Sequence, residues 1–295
     1  MLTLDIASLY AFVVVADSAS FSLAAAQLHL TQPAVSKRIA ALEAELNTRL
    51  FDRLGRKVLL TEAGHTLLPR ARRILAELED SQRALLNLSG QVAGTLTFTT
   101  SHHIGLHRLP PVLRIYVSRY PQVQLDIRFM DSELACEAVA HGEVELGIVT
   151  LPLQVQHPLM TLPIWTDRLV VMVPHDHPLA AQCQVPPSVL SAYPAILPGE
   201  VTFTRCIINH VFEPLGLHLK VAFSTNYLET IKMMVAVGLG WSLLPAHMAD
   251  EAVVALELAG LTVQRSLGVV RHAGRTLSNA AGAMLDVLQI SNQQA

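Results

Sequence analysis

Ser20–Leu46 reads SFSLAAAQLHLTQPAVSKRIAALEAEL, and its spacing decides what the first part of the chain becomes. Val35, Ile39, Leu42 and Leu46 recur at intervals of 4, 3 and 4, the stripe of one helix face. Thr31 stands before that helix as a cap, and Pro33 occupies its first turn, where a missing N–H costs no hydrogen bond. Upstream, the pattern places Ser22 as the cap of a short helix over Leu23–Leu28, with Phe21 as its hydrophobic staple. Ala24, Ala25 and Ala26 let a second helix approach closely, and His29-Leu30 is a tight connection. Two helices joined by so short a turn, the second with polar residues at its N-terminal end, suggest a helix-turn-helix. Gln32, Ser36, Lys37 and Arg38 are of the types that pair with base edges or phosphate. The same face reads equally as ordinary solvated surface.

Working outward, Ile6, Leu9, Phe12, Val13 and Ala16 predict a first helix over Asp5–Ala16. On the other side, residues 20–64 as a whole resemble the signature of LysR-type regulators. The matching pieces are S-F-S-x-A-A-x-x-L at Ser20–Leu28, T-Q-P-A-V-S-x-x-I at Thr31–Ile39 and L-E-x-x-L at Leu42–Leu46. L-F-x-R-x-x-R at Leu50–Arg56 and L-T-x-A-G at Leu60–Gly64 continue it. The resemblance implies a winged helix-turn-helix whose Thr31 helix enters the major groove of double-stranded DNA. Ser22, Thr31, Gln32, Pro33, Ala34, Ser36, Lys37 and Arg38 would form its DNA face. Phe51–Leu60 becomes a β-wing with Gly55 at its tip, from which Arg53, Arg56 and Lys57 approach backbone or minor groove.

From Glu62 to about Leu88 the chain reads as one helix, bent near Pro69. Leu67, Ala71, Ile74, Leu78, Ser81, Leu85 and Leu88 keep a heptad spacing, the mark of a helix that pairs with another. Packing against the chain's own globular part is the alternative. The resemblance favours dimerisation through Leu67, Ala71, Ile74, Leu78 and Leu85, so that two winged domains read a palindromic promoter site, and it extends to homotetramers and contact with RNA polymerase.

After the small-residue hinge Gln91–Gly94, short strands and helices alternate. Strands are expected at Thr95–Thr99, Val123–Phe129, Val144–Val149, Leu169–Val173, Ala195–Leu197 and Leu219–Phe223. Helices are expected at Leu106–Arg119, Glu133–His141, Arg205–Glu213 and Asn226–Val237. Gly238–Pro245 turns into a further strand. That order predicts a mostly parallel sheet covered on both faces, an α/β architecture. R-Y-P-x-V-x-L at Arg119–Leu125, G-E-V-E-L-G-I at Gly142–Ile148, H-P-L-A at His177–Ala180 and G-L-G-W-S-L-L-P at Gly238–Pro245 are similar to the LysR-type effector domain.

The resemblance thus divides the chain into a DNA-binding domain (1–61), a linker helix (62–90) and an effector domain (91–295). The last comprises two Rossmann-like subdomains of periplasmic-binding-protein type II, 91–162 with 266–295 and 163–265, crossing near Pro163 and Ser266. A small-molecule effector, a small organic acid or amino-acid pathway intermediate, would lie between them at helix N-termini. The junction residues are Thr100, Ser101, His102, Ser132, Thr150, Thr202, Thr204 and Asn226; plain helix capping is the competing role for each hydroxyl. Asp131 stands where the family usually has glycine. It disfavours a strongly anionic ligand unless His102, His103 or Arg205 offsets it.

Composition sets the bounds. The 295 residues carry a net charge of −3, but residues 1–73 hold nine Lys/Arg against six Asp/Glu, whereas residues 74–295 hold twelve against eighteen. A basic segment on an acidic remainder fits one polyanion-binding module joined to something else. The opening residues carry no basic, cleavable leader and no apolar run is long enough to cross a bilayer, so a cytoplasmic location away from membranes is expected. Cys136, Cys183 and Cys206 form no C-x-x-C and read as small buried residues. Cys206, beside Arg205, supports an alternative in which the regulator senses oxidants. His102-His103 and the His175–His177 pair lack a third ligand at helical spacing, so neither metal nor cofactor is expected. A nucleophile elbow, a P-loop and H-E-x-x-H are all missing, which disfavours an enzyme, and the DNA-binding segment disfavours a transport binding protein.

Overall fold

The computed structural model describes residues 5–54 and 57–293. They form two compact units, one made by residues up to Ser89 and one by most of the chain from Gly90 onward.

In the first unit every helix begins on a side-chain cap. The Asp5 carboxylate accepts from the N–H groups of Ala7 and Ser8 at the head of α1 (Ile6–Ser18). The Ser8 hydroxyl and the Ala7 N–H hold that carboxyl below its ordinary range. Ser20, not Ser22, caps α2 (Phe21–Gln27), its hydroxyl accepting from the Leu23 N–H. The cause of this correction is Phe21. As the first helical residue it is buried with its ring edge-on to Phe51 at 5.8 Å, inside the core rather than outside it. His29 adopts φ 52° to close the turn. Thr31 caps α3 (Gln32–Leu46), whose Val35, Ile39 and Leu42 are buried as their spacing predicts.

The hairpin β1 (Phe51–Leu54) and β2 (Lys57–Leu60) is antiparallel. Glu43 sets its start, its Oε1 accepting from the N–H groups of Leu50 at 2.7 Å and Phe51 at 3.2 Å. Thr61 then caps α4 (Glu62–Asn87), which continues through Pro69. Gly64 is obligatory there, because a Cβ would stand 2.3 Å from the Leu50 carbonyl oxygen. Ala71 is fully buried in this same core and Leu67 packs against it. These two residues therefore pack within their own domain, and the heptad spacing runs onto exposed positions from Ile74. Ile74, Leu78 and Leu85 are 43%, 37% and 69% exposed.

The second unit opens with β3 (Gly94–Thr100), α5 (His102–His107), α6 (Leu109–Arg119), β4 (Val123–Phe129), α7 (Ser132–His141) and β5 (Leu146–Thr150). Two helices replace the single one expected over Leu106–Arg119, since Pro110 and Pro111 donate no N–H and fit only a first turn. There follow β6 (Leu159–Val173), β7 (Gln184–Val185), α8 (Pro187–Leu190), β8 (Pro194–Leu197), α9 (Phe203–Phe212) and β9 (Lys220–Ser224). The unit ends with α10 (Leu228–Ala236), β10 (Ser242–Pro245), β11 (Val254–Leu258), β12 (Val263–His272) and α11 (Asn279–Gln293).

The main sheet runs β4-β3-β5-β12-β6-β11-β7, with β10 also on β6. Only part of it is parallel. β3 pairs in parallel with β4 and β5, whereas β10, β11 and β12 each pair antiparallel with β6. The sheet is mixed because β6 and β12 belong to two lobes at once. Trp165 and Leu267 sit in the first lobe's core beside Phe98 and Tyr116; Leu169 and Val263 sit in the second's beside Phe212 and Trp241. At the bulge where these strands cross, a Cβ on Gly268 would lie 2.2 Å from the Leu162 carbonyl oxygen.

Candidate functional site

The first unit presents α3 with Gln32 and Lys37 exposed and with Ala34, Ser36 and Arg38 half-buried. The Gln32 side-chain amide donates to the Ser36 hydroxyl at 2.9 Å, presenting both as one polar patch. Thr31 and Pro33 are exposed beside them, and Ser22 is exposed on α2. Gly55 and Arg56 lie outside the described residues, as do the side chains of Arg53 and Lys57.

In the second unit a cleft opens between the lobes. Ser101, His102, Ser132, Thr150, Thr202, Thr204 and Asn226 all line it, together with Asp131, Glu133, Tyr227 and Arg265. Of the junction residues singled out by sequence, Thr100 does not. Its side chain is fully buried and its hydroxyl donates to the Ile148 carbonyl at 2.9 Å, as expected where an inward position of β3 meets β5.

The lining hydroxyls differ in what they have left to give. Thr202 caps α9, accepting from the Arg205 N–H at 3.2 Å and donating to the Gly199 carbonyl at 2.8 Å. Ser132 accepts from the Thr150 N–H at 3.1 Å, and Thr204 from Arg265 at 3.2 Å. The Ser101 hydroxyl precedes α5 without capping it. The two acids of the first lobe are met by contacts that cross the cleft. The Asn226 side-chain amide donates to Asp131 at 2.6 Å, and the Phe203 N–H donates to the Glu133 carboxylate. Burial pushes the Glu133 carboxyl up, against that N–H. The space enclosed is about 50 Å³, enough for a few waters at roughly 10–15 Å³ each.

Arg205 does not offset Asp131. It is buried inside the second lobe, donating to Asn209 at 2.9 Å and the Pro198 carbonyl at 3.2 Å. The cationic group at the cleft is Arg265, on β12. It grips Asp167 through Nε at 3.2 Å and a terminal nitrogen at 2.8 Å, while Arg108 reaches the other Asp167 oxygen at 2.6 Å. Burial alone would raise the Asp167 carboxyl; His103, Arg265 and Arg108 outweigh it and hold it below the ordinary range. The guanidiniums are in hydrogen-bond contact, whereas His103 Nε2 stands 3.8 Å away. Sequence reasoning overlooks this network, since its members lie on β6, β12 and the α5–α6 junction with no motif joining them.

Behind the cleft, His103, His107 and Glu229 gather their ligand atoms within 4.8 Å of one another. Two of its three members pair in the sequence, because His103 and His107 are four residues apart, a helical spacing that the reading of His102-His103 as lacking a further ligand passes over. The Glu229 carboxyl is held down to about 2, chiefly by His103. His247 sits beside them, with burial the main cause of an imidazole pKa lowered to about 4.

The cysteines correct the sequence reading in part. Cys136 is buried, which pushes its thiol up to about 12, but Cys183 and Cys206 are exposed. The α9 face that carries Cys206 points away from the core that holds Ile207 and Ile208. The Arg205 guanidinium, engaged by Asn209 and Pro198, is turned into the lobe.

Comparison with known proteins agrees with both halves. Residues 6–65 match the family "Bacterial regulatory helix-turn-helix protein, lysR family", and residues 89–292 match the "LysR substrate binding domain". A probable RuBisCO transcriptional regulator of Cyanophora paradoxa is 31% identical over 277 residues, covering 90% of this chain and 86% of its own. An uncharacterized HTH-type regulator of the ibpB-leuC intergenic region of Azotobacter vinelandii is 70% identical over 108 residues, 37% of this chain and 75% of its own. A full-length OxyR variant of Pseudomonas aeruginosa has the same fold, at TM-score 0.73 and 24% identity over 98% of this chain and 95% of its own. Among the described residues no helix is long and apolar enough to cross a membrane. With a helix-turn-helix at one end and a two-lobed effector-binding domain at the other, the chain is a DNA-binding transcription regulator of the LysR family.

Proposed function

We propose that a zwitterionic or hydroxylated small organic acid, of the kind found among amino-acid pathway intermediates, binds in the cleft and changes how a dimer of winged domains holds a palindromic promoter site. The observation that carries this reading is the convergence of seven predicted junction residues on one space that two hydrogen bonds close across the lobes. Asp131 and Glu133 suit an ammonium or hydroxyl group. The N-termini of α7 and α9, with Arg265, suit a carboxylate. Parting of Asn226–Asp131 and Phe203–Glu133 widens the cleft for entry.

Bases are read by Gln32 and Lys37, while Arg53, Arg56 and Lys57 hold phosphates. Dimers form along Ile74, Leu78 and Leu85, and pairing of dimers into tetramers follows the family pattern. The regulator works in the cytoplasm without catalysis of its own and meets RNA polymerase at the promoter. The test is a thermal-shift screen of amino acids and small organic acids on the full chain, with footprinting of each hit. A ligand of this cleft loses about 1.5–3 kcal/mol of binding in Ser101→Ala, the worth of one charge-assisted hydrogen bond. Hits that shift the footprint and bind Ser101→Ala and Asn226→Ala undiminished place the effector elsewhere. Ser132→Ala is the poorer probe, because it strands the buried Thr150 N–H.

A further inference from the structure

We propose that His103, His107 and Glu229, with His247 as a fourth ligand, form a site for a divalent transition metal that joins the two lobes of the effector domain. His103 Nδ1 stands 3.2 Å from Glu229 Oε1, and His107 Nε2 stands 2.9 Å from the same oxygen. Ligands around a tetrahedral metal at ~2.0–2.1 Å are spaced by roughly 3.3 Å, so both separations are near the edges of such a polyhedron. His247 lies outside that three-residue group, but its ring centroid is 5.3 Å from that of His103 and 5.5 Å from that of His107, so it joins as a fourth ligand by a turn of its side chain.

Hydrogen bonding alone leaves this cluster incomplete. His103 is 5% exposed, and each of its ring nitrogens faces a carboxylate oxygen, Glu229 Oε1 on one side and Asp167 Oδ2 on the other. In the neutral form that binds a metal the imidazole has one N–H, so one nitrogen turns its lone pair toward a carboxylate; only the doubly protonated ring donates to both. Nε2 has no hydrogen-bond partner among the described residues, and neither does the buried Oε2 of Glu229. A cation on Nδ1 resolves both defects. Nε2–H then points at Asp167, the carboxylate–histidine–metal relay that fixes a ligand's tautomer, and Oε2 becomes a second oxygen for the metal. Imidazoles together with a carboxylate suit Zn(II), Co(II) or Ni(II).

Access and consequence follow from placement. His107, Glu229 and His247 line an open groove of about 480 Å³, so the metal has an entry path that does not pass through the effector cleft. His103 and His107 belong to α5 of the first lobe, whereas Glu229 and His247 belong to α10 and the turn after β10 in the second. A metal there would fix the angle between lobes and so act together with the cleft ligand.

Co(II) is the probe, because its visible spectrum distinguishes four-coordinate from hydrated metal. Titrated into the full chain at neutral pH, it should give one intense visible band at one equivalent, displaced by Zn(II). Affinity should fall at least about tenfold in His107→Ala and in Glu229→Gln, and stay unchanged in His218→Ala. His107 is exposed at the end of α5, so its removal leaves the fold intact, which circular dichroism checks. A weak spectrum of hydrated Co(II), or a band that survives both substitutions, overturns the proposal. Neither result bears on the organic effector, which is screened without metal.

Discussion

The winged unit and the effector unit use sequence distance in opposite ways. In the first, apart from the Arg72–Asp17 pair across 55 residues, the capping side chains act close to home. Thr31 reaches Ala34 three residues on, and Glu43 reaches Leu50 and Phe51 seven and eight residues on. In the second, Arg108 meets Asp167 across 59 residues, Arg265 meets it across 98, and His103 meets Glu229 across 126. Local hydrogen bonds make the DNA-reading head a string of caps, each of which contributes modestly and fails separately. Long-range ionic contacts make the effector domain depend on a few buried charges that fail together.

The largest expected effect follows from that contrast. Asp167→Ala strands Arg265 and Arg108 without their counter-ion and should lower the stability of the effector unit by about 3–5 kcal/mol. Urea unfolding monitored at Trp165 and Trp241 reads it. A loss no larger than that of a helix cap would erase the distinction between the units.

The linker helix offers the next cut, because one seam changes its role along its length. Ala71→Leu overfills the winged core and should cost about 1–3 kcal/mol of that unit's stability while the oligomer persists. Leu78→Glu should do the reverse, leaving each chain folded but reducing the size of the species seen in sedimentation. Identical behaviour of the two variants would contradict a seam that begins at Ile74. At the DNA face, Lys37→Ala should cost about 1–3 kcal/mol and blur discrimination between sites, whereas Arg53→Ala should weaken all sequences alike. Equal loss of specificity in both would remove the division between base reading and phosphate holding.

Smaller effects sharpen the picture. Ser20→Ala should cost about 1 kcal/mol of winged-unit stability as a lost cap, while Ser22→Ala should stay within about 0.5 kcal/mol. Smallest is a pH effect at Glu133. Because burial raises its folded pKa above the ordinary 4.5, its contribution to stability is present below that pH and is lost as pH rises through the folded value. Glu133→Gln keeps an acceptor for the Phe203 N–H and has no charge to bury. Its melting temperature should therefore gain on the wild type from pH 4.5 upward, and a constant difference would contradict the assignment.

Legibility in the sequence follows the same division. The Val35–Ile39–Leu42 stripe and the Thr31 cap can be read because each partner lies within a turn or two of helix, whereas the wing comes from the family resemblance. Spacing favours Ser22 over Ser20 because it cannot weigh the burial of Phe21. Most of the cleft hydroxyls are legible as junctions, since Ser101 and Thr202 precede a helix, Ser132 opens one and Thr150 ends a strand. Thr100 departs from that rule because the last residue of β3 still faces a neighbouring strand. Arg265 and Asp167 stay hidden, as nothing in their local sequence marks a charge that will be buried opposite another strand.

Selection from randomised duplexes by the full chain tests most directly whether two winged heads read DNA together. The prediction is one enriched site with dyad symmetry, whose half-sites lose definition with Lys37→Ala and whose recovery falls with Leu78→Glu. Enrichment of a single asymmetric half-site, unaffected by Leu78→Glu, would contradict it.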